Sequence, residues 1–176
     1  YVLPNGIQRT LREMPNKKKE VLFVGRLVPE KGAHLFVKSI KNIVSKNPDW
    51  HFQIIGTAKA GQENLKTEYE KNVINDFLSL GNNASYLGFK PNKEVKNILQ
   101  SASILVIPSL WDDPFPLTAL EGLSLGLAII ASNRGGLTEM LKNKGLLIDN
   151  LNEKNLENSI IKLISNKDTL LKYQKK

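Results

Sequence analysis

Ile104-Leu105-Val106-Ile107 sets four large apolar residues in a row and runs directly into Pro108-Ser109-Leu110-Trp111-Asp112-Asp113-Pro114-Phe115-Pro116. Successive side chains of a strand point to opposite faces, so a half-buried strand alternates apolar and polar residues. A strand without alternation has both faces covered, as in a parallel sheet flanked by helices. Similar runs lie on either side. Val21-Leu22-Phe23-Val24 ends at Gly25, Phe52-Gln53-Ile54-Ile55 ends at Gly56, and a short run from Ala84 to Leu87 ends at Gly88. Ala128-Ile129-Ile130-Ala131 and Leu146-Leu147-Ile148 follow. Between these runs, apolar residues recur at helical spacing. Phe36, Ile40, Ile43 and Val44 form one such stripe, stopped by Asn47-Pro48-Asp49. Residues 63–80, Val95 with Ile98 and Leu99, Leu117 to Leu125, Leu137 to Leu141, and Leu156 with Ile160, Leu163 and Ile164 mark further helices, and a lysine-rich end follows. Strands interleaved with helices predict an α/β fold, a doubly wound parallel sheet of Rossmann-like type, with helical crossovers joining parallel neighbours. Residues 1–20 are polar, basic and Pro-containing and read as a connector entering the domain; residues 21–176 read as the domain itself.

Composition narrows the chemistry. The 176 residues contain no cysteine, which excludes disulfide scaffolds, cysteine zinc sites, iron–sulfur clusters and thiol nucleophiles. The 41% apolar and 24% charged residues are ordinary for a globular protein. No apolar run approaches the roughly 20 residues of a membrane-spanning helix, and no signal peptide opens the sequence. The start at Tyr1-Val2-Leu3-Pro4-Asn5-Gly6 lacks an initiator Met and reads like the middle of a longer protein. The net charge is +8, and the first fifty residues hold ten basic against four acidic side chains. The densest run, Lys17-Lys18-Lys19, has no aromatic beside it for stacking bases, which argues against nucleic acid. It reads as a solvated loop before a strand, with attraction to anionic lipid head groups as the alternative.

In open α/β sheets ligands bind beyond the carboxyl ends of the strands. The first loop there is Gly25-Arg26-Leu27-Val28-Pro29-Glu30-Lys31-Gly32. Gly25 permits a tight departure from the strand. Arg26 offers a fork of donors suited to phosphate and Lys31 a compact charge, both before a helix start that favours anions. The alternative is that they pair with Glu30 or solvent. The spacing is neither that of a P-loop nor that of the dinucleotide glycine fingerprint. The second loop runs from Pro108 to Pro116 and into a helix carrying Glu121. Pro116 fits a first helical position, which leaves free amides from Phe115 to Thr118 for an anionic or polyhydroxyl ligand. Asp113 and Glu121 are acceptors suited to sugar and ribose hydroxyls, or else a turn residue and a solvated helix position. Trp111 and Phe115 read as packing groups. The third loop, Ser132-Asn133-Arg134-Gly135-Gly136-Leu137-Thr138-Glu139, uses paired glycines for close backbone approach to a ligand. The fourth, Gly88-Phe89-Lys90-Pro91, offers backbone polar groups to a planar base. His34 and His51 lack partners at metal spacing and read as structural.

Taken together, these loops resemble the donor-binding C-terminal domain of family 4 retaining glycosyltransferases of the GT-B class, over nearly the whole chain. Val2-Leu3-Pro4-Asn5-Gly6 is similar to the segment leading into that domain. Gly25 to Gly32 is similar to the family's Arg…Lys diphosphate loop. Asp113-Pro114-Phe115-Pro116-Leu117-Thr118-Ala119-Leu120-Glu121 is similar to its signature of two glutamates separated by seven residues, and Gly135-Gly136-Leu137-Thr138-Glu139 to a further recurrent segment. The resemblance implies that Gly25, Arg26 and Lys31 hold the nucleotide diphosphate and that Arg26 and Lys31 stabilise the leaving charge. It implies that Asp113 faces the donor sugar, that Glu121 accepts from the ribose, that backbone from Phe115 through Pro116 and Leu117 to Thr118 contacts sugar or phosphate, and that backbone at Phe89 contacts the base. Asp113 departs from the family's glutamate by one methylene.

The resemblance further implies a UDP-, GDP- or ADP-sugar as donor, no metal or other cofactor, and a glycan or lipid-linked acceptor in cell-surface polysaccharide or lipopolysaccharide synthesis. The expected setting is cytoplasmic, with peripheral contact at the inner face of an anionic membrane and no nucleic-acid partner. An N-terminal acceptor domain is expected to complete the enzyme, a hexosyltransferase; this chain alone is expected to bind donor and transfer poorly. A nucleotide-sugar epimerase of the same fold and a non-catalytic doubly wound binding or signalling module are the alternatives.

Overall fold

Strand β1 (Lys18–Val24) lies at the centre of the sheet because it is buried on both faces. Val21 and Phe23 point to one side and Leu22 to the other, and each is almost wholly covered. The computed structural model describes residues 16–175. The readings made for residues 1–15, including most of the connector, lie outside the described residues.

Six strands form one all-parallel sheet: β2 (His51–Ile55) and β3 (Ala84–Tyr86) on one side of β1, and β4 (Ala102–Ile107), β5 (Ala128–Ser132) and β6 (Leu146–Ile148) on the other. The order is β3-β2-β1-β4-β5-β6, the doubly wound arrangement that the sequence predicts. Register brings Phe23 opposite Ile54 on one side and Val106 on the other. Period two then assigns the apolar runs to two cores. Val21, Phe23, Phe52, Ile54, Ile104, Val106 and Ile130 pack under α1 (Ala33–Val44), α2 (Glu68–Leu78) and α6 (Glu153–Ile164). Leu22, Leu105, Ile129 and Ala131 pack under α3 (Asn92–Ser101), α4 (Leu117–Ser124) and α5 (Gly136–Leu141). The unalternating run at 104–107 is therefore two alternating patterns superposed, one for each helical layer.

Three boundaries differ from the sequence reading. Strand β1 begins at Lys18, not Val21, because Ser103 Oγ donates to the Lys18 carbonyl at 2.6 Å and Lys18 pairs with Ala102. The lysine-rich end forms an additional helix, α7 (Lys167–Gln174), held by Gln174, which is buried and donates to the Ser103 carbonyl at 3.1 Å. Its apolar face was too sparse to read as a stripe. The Lys17-Lys18-Lys19 run is not a loop: Lys18 and Lys19 open β1 with solvent-exposed side chains. Lys17 is half-buried, and its ammonium donates to the carbonyls of Gln100 at 2.9 Å and Leu125 at 2.8 Å, where α3 and α4 end. The last carbonyls of a helix lack intrahelical partners, and a cation there also suits the helix dipole. Burial pushes the Lys17 ammonium down to about 8.

Helix α2 starts at a reciprocal cap. Thr67 Oγ1 accepts from the Glu70 amide at 3.1 Å, and Glu70 Oε2 accepts from the Thr67 amide at 2.9 Å. Glu70 is fully buried. Burial alone would raise its carboxyl; hydrogen bonds from the Thr67, Ala58 and Lys66 amides and the Gln62 side chain outweigh that and bring it to about 2. A carboxyl whose native value lies below its unfolded one stabilises the fold above the unfolded value and loses that contribution as pH falls through the native one. We expect about 3 kcal/mol of stability to disappear between pH 4.5 and about 2. Denaturant melts across that range, with Glu70→Gln showing a flatter acid limb, check it.

Candidate functional site

The strand order reverses between β1 and β4, and a crevice opens beyond their carboxyl ends at such a switch point. The loops from those two strands are stitched together. The Leu110 amide donates to the Glu30 carbonyl at 2.8 Å. Gly32 adopts φ +71°, and a Cβ there would lie 1.9 Å from the Pro108 carbonyl oxygen. Only a glycine lets the first loop pass that close to the second.

This closeness brings Lys31 to Asp113. Lys31 sits in a 3₁₀ turn, Pro29–Lys31, immediately before α1. Its Nζ lies 2.7 Å from Asp113 Oδ2, and both side chains are about a quarter exposed. Lys31 thus pairs with a carboxylate 82 residues away, not with Glu30 or solvent. Partial burial works against ionisation of Asp113. The Lys31 hydrogen bond, the Phe115 amide and the charges of Lys31 and Arg26 overcome it and hold the carboxyl below its ordinary range. Arg26 is exposed, and its guanidinium makes no ion pair among the described residues.

Other expectations for the second loop change. Pro116 is the residue before α4 rather than its first, and it is buried. The Phe115 amide is already engaged, donating to Asp113 Oδ1 at 3.1 Å. Leu117 and Thr118 therefore supply the first-turn donors of α4. Trp111 does not pack; it is 61% exposed, while Phe115 is half-buried. The chain turns outward at Trp111 because Ser109 Oγ donates to the Trp111 carbonyl at 3.0 Å and the Asp113 amide donates to the same carbonyl.

Glu121 is half-buried one turn into α4. Burial raises its carboxyl above the ordinary range, partly offset by the charge of Lys96 on α3. Lys96 had no signal in the sequence: it is one of several exposed lysines, and only the packing of α3 beside α4 singles it out. In the third loop the paired glycines pack closely against protein backbone. A Cβ on Gly136 would lie 2.2 Å from the Pro114 carbonyl oxygen, and the Gly136 amide donates to the Asp113 carbonyl at 2.8 Å. Their service is to hold Asp113 in place. His34 and His51 bond Tyr69 and Ser85, each at 2.8 Å, as structural residues do. Among the described residues no three His, Cys, Asp or Glu side chains gather as a metal site.

Beside this cluster lies a pocket of about 140 Å³, lined by Gly25, Arg26, Gly56, Thr57, Ala60, Phe89 and Lys90 among others. It is smaller than the roughly 300–1,000 Å³ that encloses a drug-sized ligand. Gly25 does not need its glycine for the turn: its φ is not positive, and a Cβ there meets only the Phe23 ring at 3.6 Å. What its missing side chain leaves open is the pocket. Gly56, which sequence reading treated only as a strand end, has φ +129° and lies against Gly25, with its amide donating to the Gly88 carbonyl at 2.8 Å.

Comparison with known proteins supplies the family. The chain is 32% identical over 184 residues to the UDP-Gal:alpha-D-GlcNAc-diphosphoundecaprenol alpha-1,3-galactosyltransferase of Escherichia coli, covering 94% of this chain and 45% of that protein. It is 26% identical over 152 residues to the lipopolysaccharide 1,2-N-acetylglucosaminetransferase of Salmonella typhimurium, covering 80% of this chain and 40% of that one. The chain thus spans less than half the length of either relative. The crystal structure of HepE from Anabaena in complex with UDP-glucose superposes with a TM-score of 0.73 over 89% of this chain and 42% of that chain, at 21% identity, which bears on the fold. The family model for glycosyl transferases group 1 matches residues 7–176, and with the doubly wound sheet and the cation-lined switch point already in place, the chain belongs to that family.

Proposed function

We propose that this chain is the donor-binding half of a retaining glycosyltransferase of family 4, taking a nucleotide-diphosphate sugar at the β1–β4 switch point. The observation that carries this reading is that Lys31 pairs with Asp113, that the charge of Arg26 acts on the same carboxylate, and that Arg26 lines a pocket with Phe89. The nucleoside end enters the pocket, the diphosphate lies on Arg26 and Lys31, and the sugar faces Asp113. When the glycosidic bond breaks, negative charge grows on the departing nucleoside diphosphate. Fixed cations and helix amides aimed at that charge stabilise the transition state without reorganisation. Arg26, Lys31 and the Leu117 and Thr118 amides at the start of α4 supply them here. Glu121, half-buried and partly neutralised by Lys96, accepts from ribose hydroxyls. Charge stabilisation by these groups asks for no metal.

The full protein, in this reading, carries a second domain that binds a glycan or lipid-linked acceptor, transfers a hexose in cell-surface polysaccharide or lipopolysaccharide synthesis, and works in the cytoplasm beside the membrane. The two relatives support that setting, since one acts on lipopolysaccharide and the other on a diphosphoundecaprenol-linked sugar by name.

Titration calorimetry of the chain with UDP, GDP and ADP and their sugars tests the donor reading. Saturable binding of at least one is expected; silence toward all at millimolar concentration contradicts it. Glu121→Gln separates the ribose role. It is expected to weaken a nucleoside diphosphate about tenfold, one lost hydrogen bond to a charged group, and to leave inorganic pyrophosphate nearly unchanged. Equal losses for both ligands would remove Glu121 from the ribose.

A further inference from the structure

The loop between β2 and α2 forms one wall of the pocket through Gly56, Thr57 and Ala60. It is mostly polar, with Leu65 packed on the core and the buried Thr57 Oγ1 donating to the Lys59 carbonyl at 2.8 Å. Its middle is tied to the helix behind it by one side chain. Glu70 Oε1 accepts from the Ala58 amide at 2.6 Å and from Gln62 Nε2 at 2.9 Å, two residues on either side of Ala60. Glu70 Oε2 accepts from the Lys66 and Thr67 amides at 3.1 and 2.9 Å and from Thr67 Oγ1 at 3.0 Å. The loop's first residue is held from the other side, where Tyr86 Oη donates to the Gly56 carbonyl at 3.0 Å and the Leu27 amide donates to the Thr57 carbonyl at 3.1 Å.

Five donors converge on one carboxylate that is fully buried. An ionised carboxylate is an acceptor only, with about four lone-pair sites on two oxygens. Five donors against about four sites fill its accepting capacity. A helix cap needs only the Thr67 amide; the contacts to Ala58 and Gln62 reach nine and five residues ahead of Thr67 and serve the pocket wall.

We infer that Glu70 is a positioning residue for nucleotide recognition, shaping the Thr57–Ala60 wall from behind while touching no ligand itself. The inference rests on the donor-site reading and deepens it. Because the wall flanks the nucleoside end, and Arg26 and Lys31 hold the diphosphate from other loops, loss of Glu70 must separate the two ligand halves. Glu70→Gln keeps the size but turns a donor toward amide donors.

The test measures affinities of the 176-residue chain for inorganic pyrophosphate and for whichever of UDP, GDP or ADP the unmodified chain binds most tightly. Glu70→Gln is expected to weaken the nucleoside diphosphate tenfold or more while pyrophosphate shifts less than twofold. Asn152→Ala removes the N-cap bond of α6, Asn155 amide to Asn152 Oδ1 at 2.9 Å, far from the pocket wall in sequence. It controls for destabilisation and is expected to lower Tm with both affinities within twofold. Should Glu70→Gln not fold, Gln62→Ala removes one loop contact to the same carboxylate and is expected to weaken the nucleoside diphosphate about threefold, with pyrophosphate again unmoved. Unchanged nucleoside affinity in a folded Glu70→Gln or Gln62→Ala protein overturns the inference. So does an equal loss for both ligands, which would make Glu70 a general structural residue. Failure of the unmodified chain to bind any of the three nucleoside diphosphates speaks instead against the donor site.

Discussion

Gly56→Ala is expected to lose about 3 kcal/mol of stability or more, a drop on the order of 10 °C in Tm, while Gly25→Ala is expected to melt normally. The two glycines touch, yet they are glycines for different reasons. At Gly56 the backbone has φ +129°, a region closed to L side chains, and an added Cβ would lie 2.0 Å from the Gly25 carbonyl oxygen. The obstacle is backbone of the central strand's exit, tied by the Gly25 amide to the Ile55 carbonyl at 3.0 Å, so it has no rotamer to change. Both strain and overlap must be absorbed by moving β1 against β2, the two strands that carry the site. At Gly25 a Cβ makes only ordinary contact with Phe23. That methyl group projects where the pocket is lined, and its cost appears in binding: about tenfold weaker nucleoside diphosphate affinity, as for modest overpacking. Thermal melts and calorimetry on both variants check the pair. A Gly56→Ala protein as stable as its parent would show that the β1 and β2 exits are not held in contact.

Lys31→Ala is expected to weaken every diphosphate ligand, nucleoside diphosphates and inorganic pyrophosphate alike, between roughly ten- and a hundredfold. A hydrogen bond to a charged group is worth about 1.5–3 kcal/mol, and each 1.4 kcal/mol is tenfold in affinity. Part of the loss comes from Asp113. In the free protein Lys31 neutralises this carboxylate at 2.7 Å; without Lys31 an anion faces the incoming diphosphate. Asp113→Asn in the Lys31→Ala background is therefore expected to recover a few-fold of the lost affinity, a coupling that a double-mutant cycle measures. Arg26→Ala, an exposed residue whose charge acts on Asp113 without a direct ion pair, is expected to cost less and to show a weaker coupling to Asp113→Asn than Lys31→Ala does. If Lys31→Ala bound pyrophosphate as well as its parent, Lys31 would be a structural partner of Asp113 and nothing more.

Asp113 itself is fixed at both oxygens: it holds Lys31 through Oδ2 and the Phe115 amide through Oδ1, within a turn pinned by the Gly136 amide.

Much of this was legible in the chain itself. The unalternating run at 104–107, the glycines ending the first three strands and the helical stripes between the runs pointed to six parallel strands and two helical layers, because strands without alternation have both faces covered. Arg26, Lys31, Asp113 and Glu121 could be nominated from their loops, because ligands in this architecture bind where strands end. What the sequence could not supply was partnership across long separations. That Lys31 meets Asp113, that Lys17 closes the ends of two helices, that the Gly136 amide reaches the Asp113 carbonyl, and that Glu70 reaches back to Ala58 are consequences of distances below 3 Å between segments 12 to 108 residues apart. Periodicity reports which face of an element is buried, since that depends on each residue's own polarity. It carries no information on which polar group stands opposite, since that depends on how the finished layers are set against one another, and only the tertiary structure decided it.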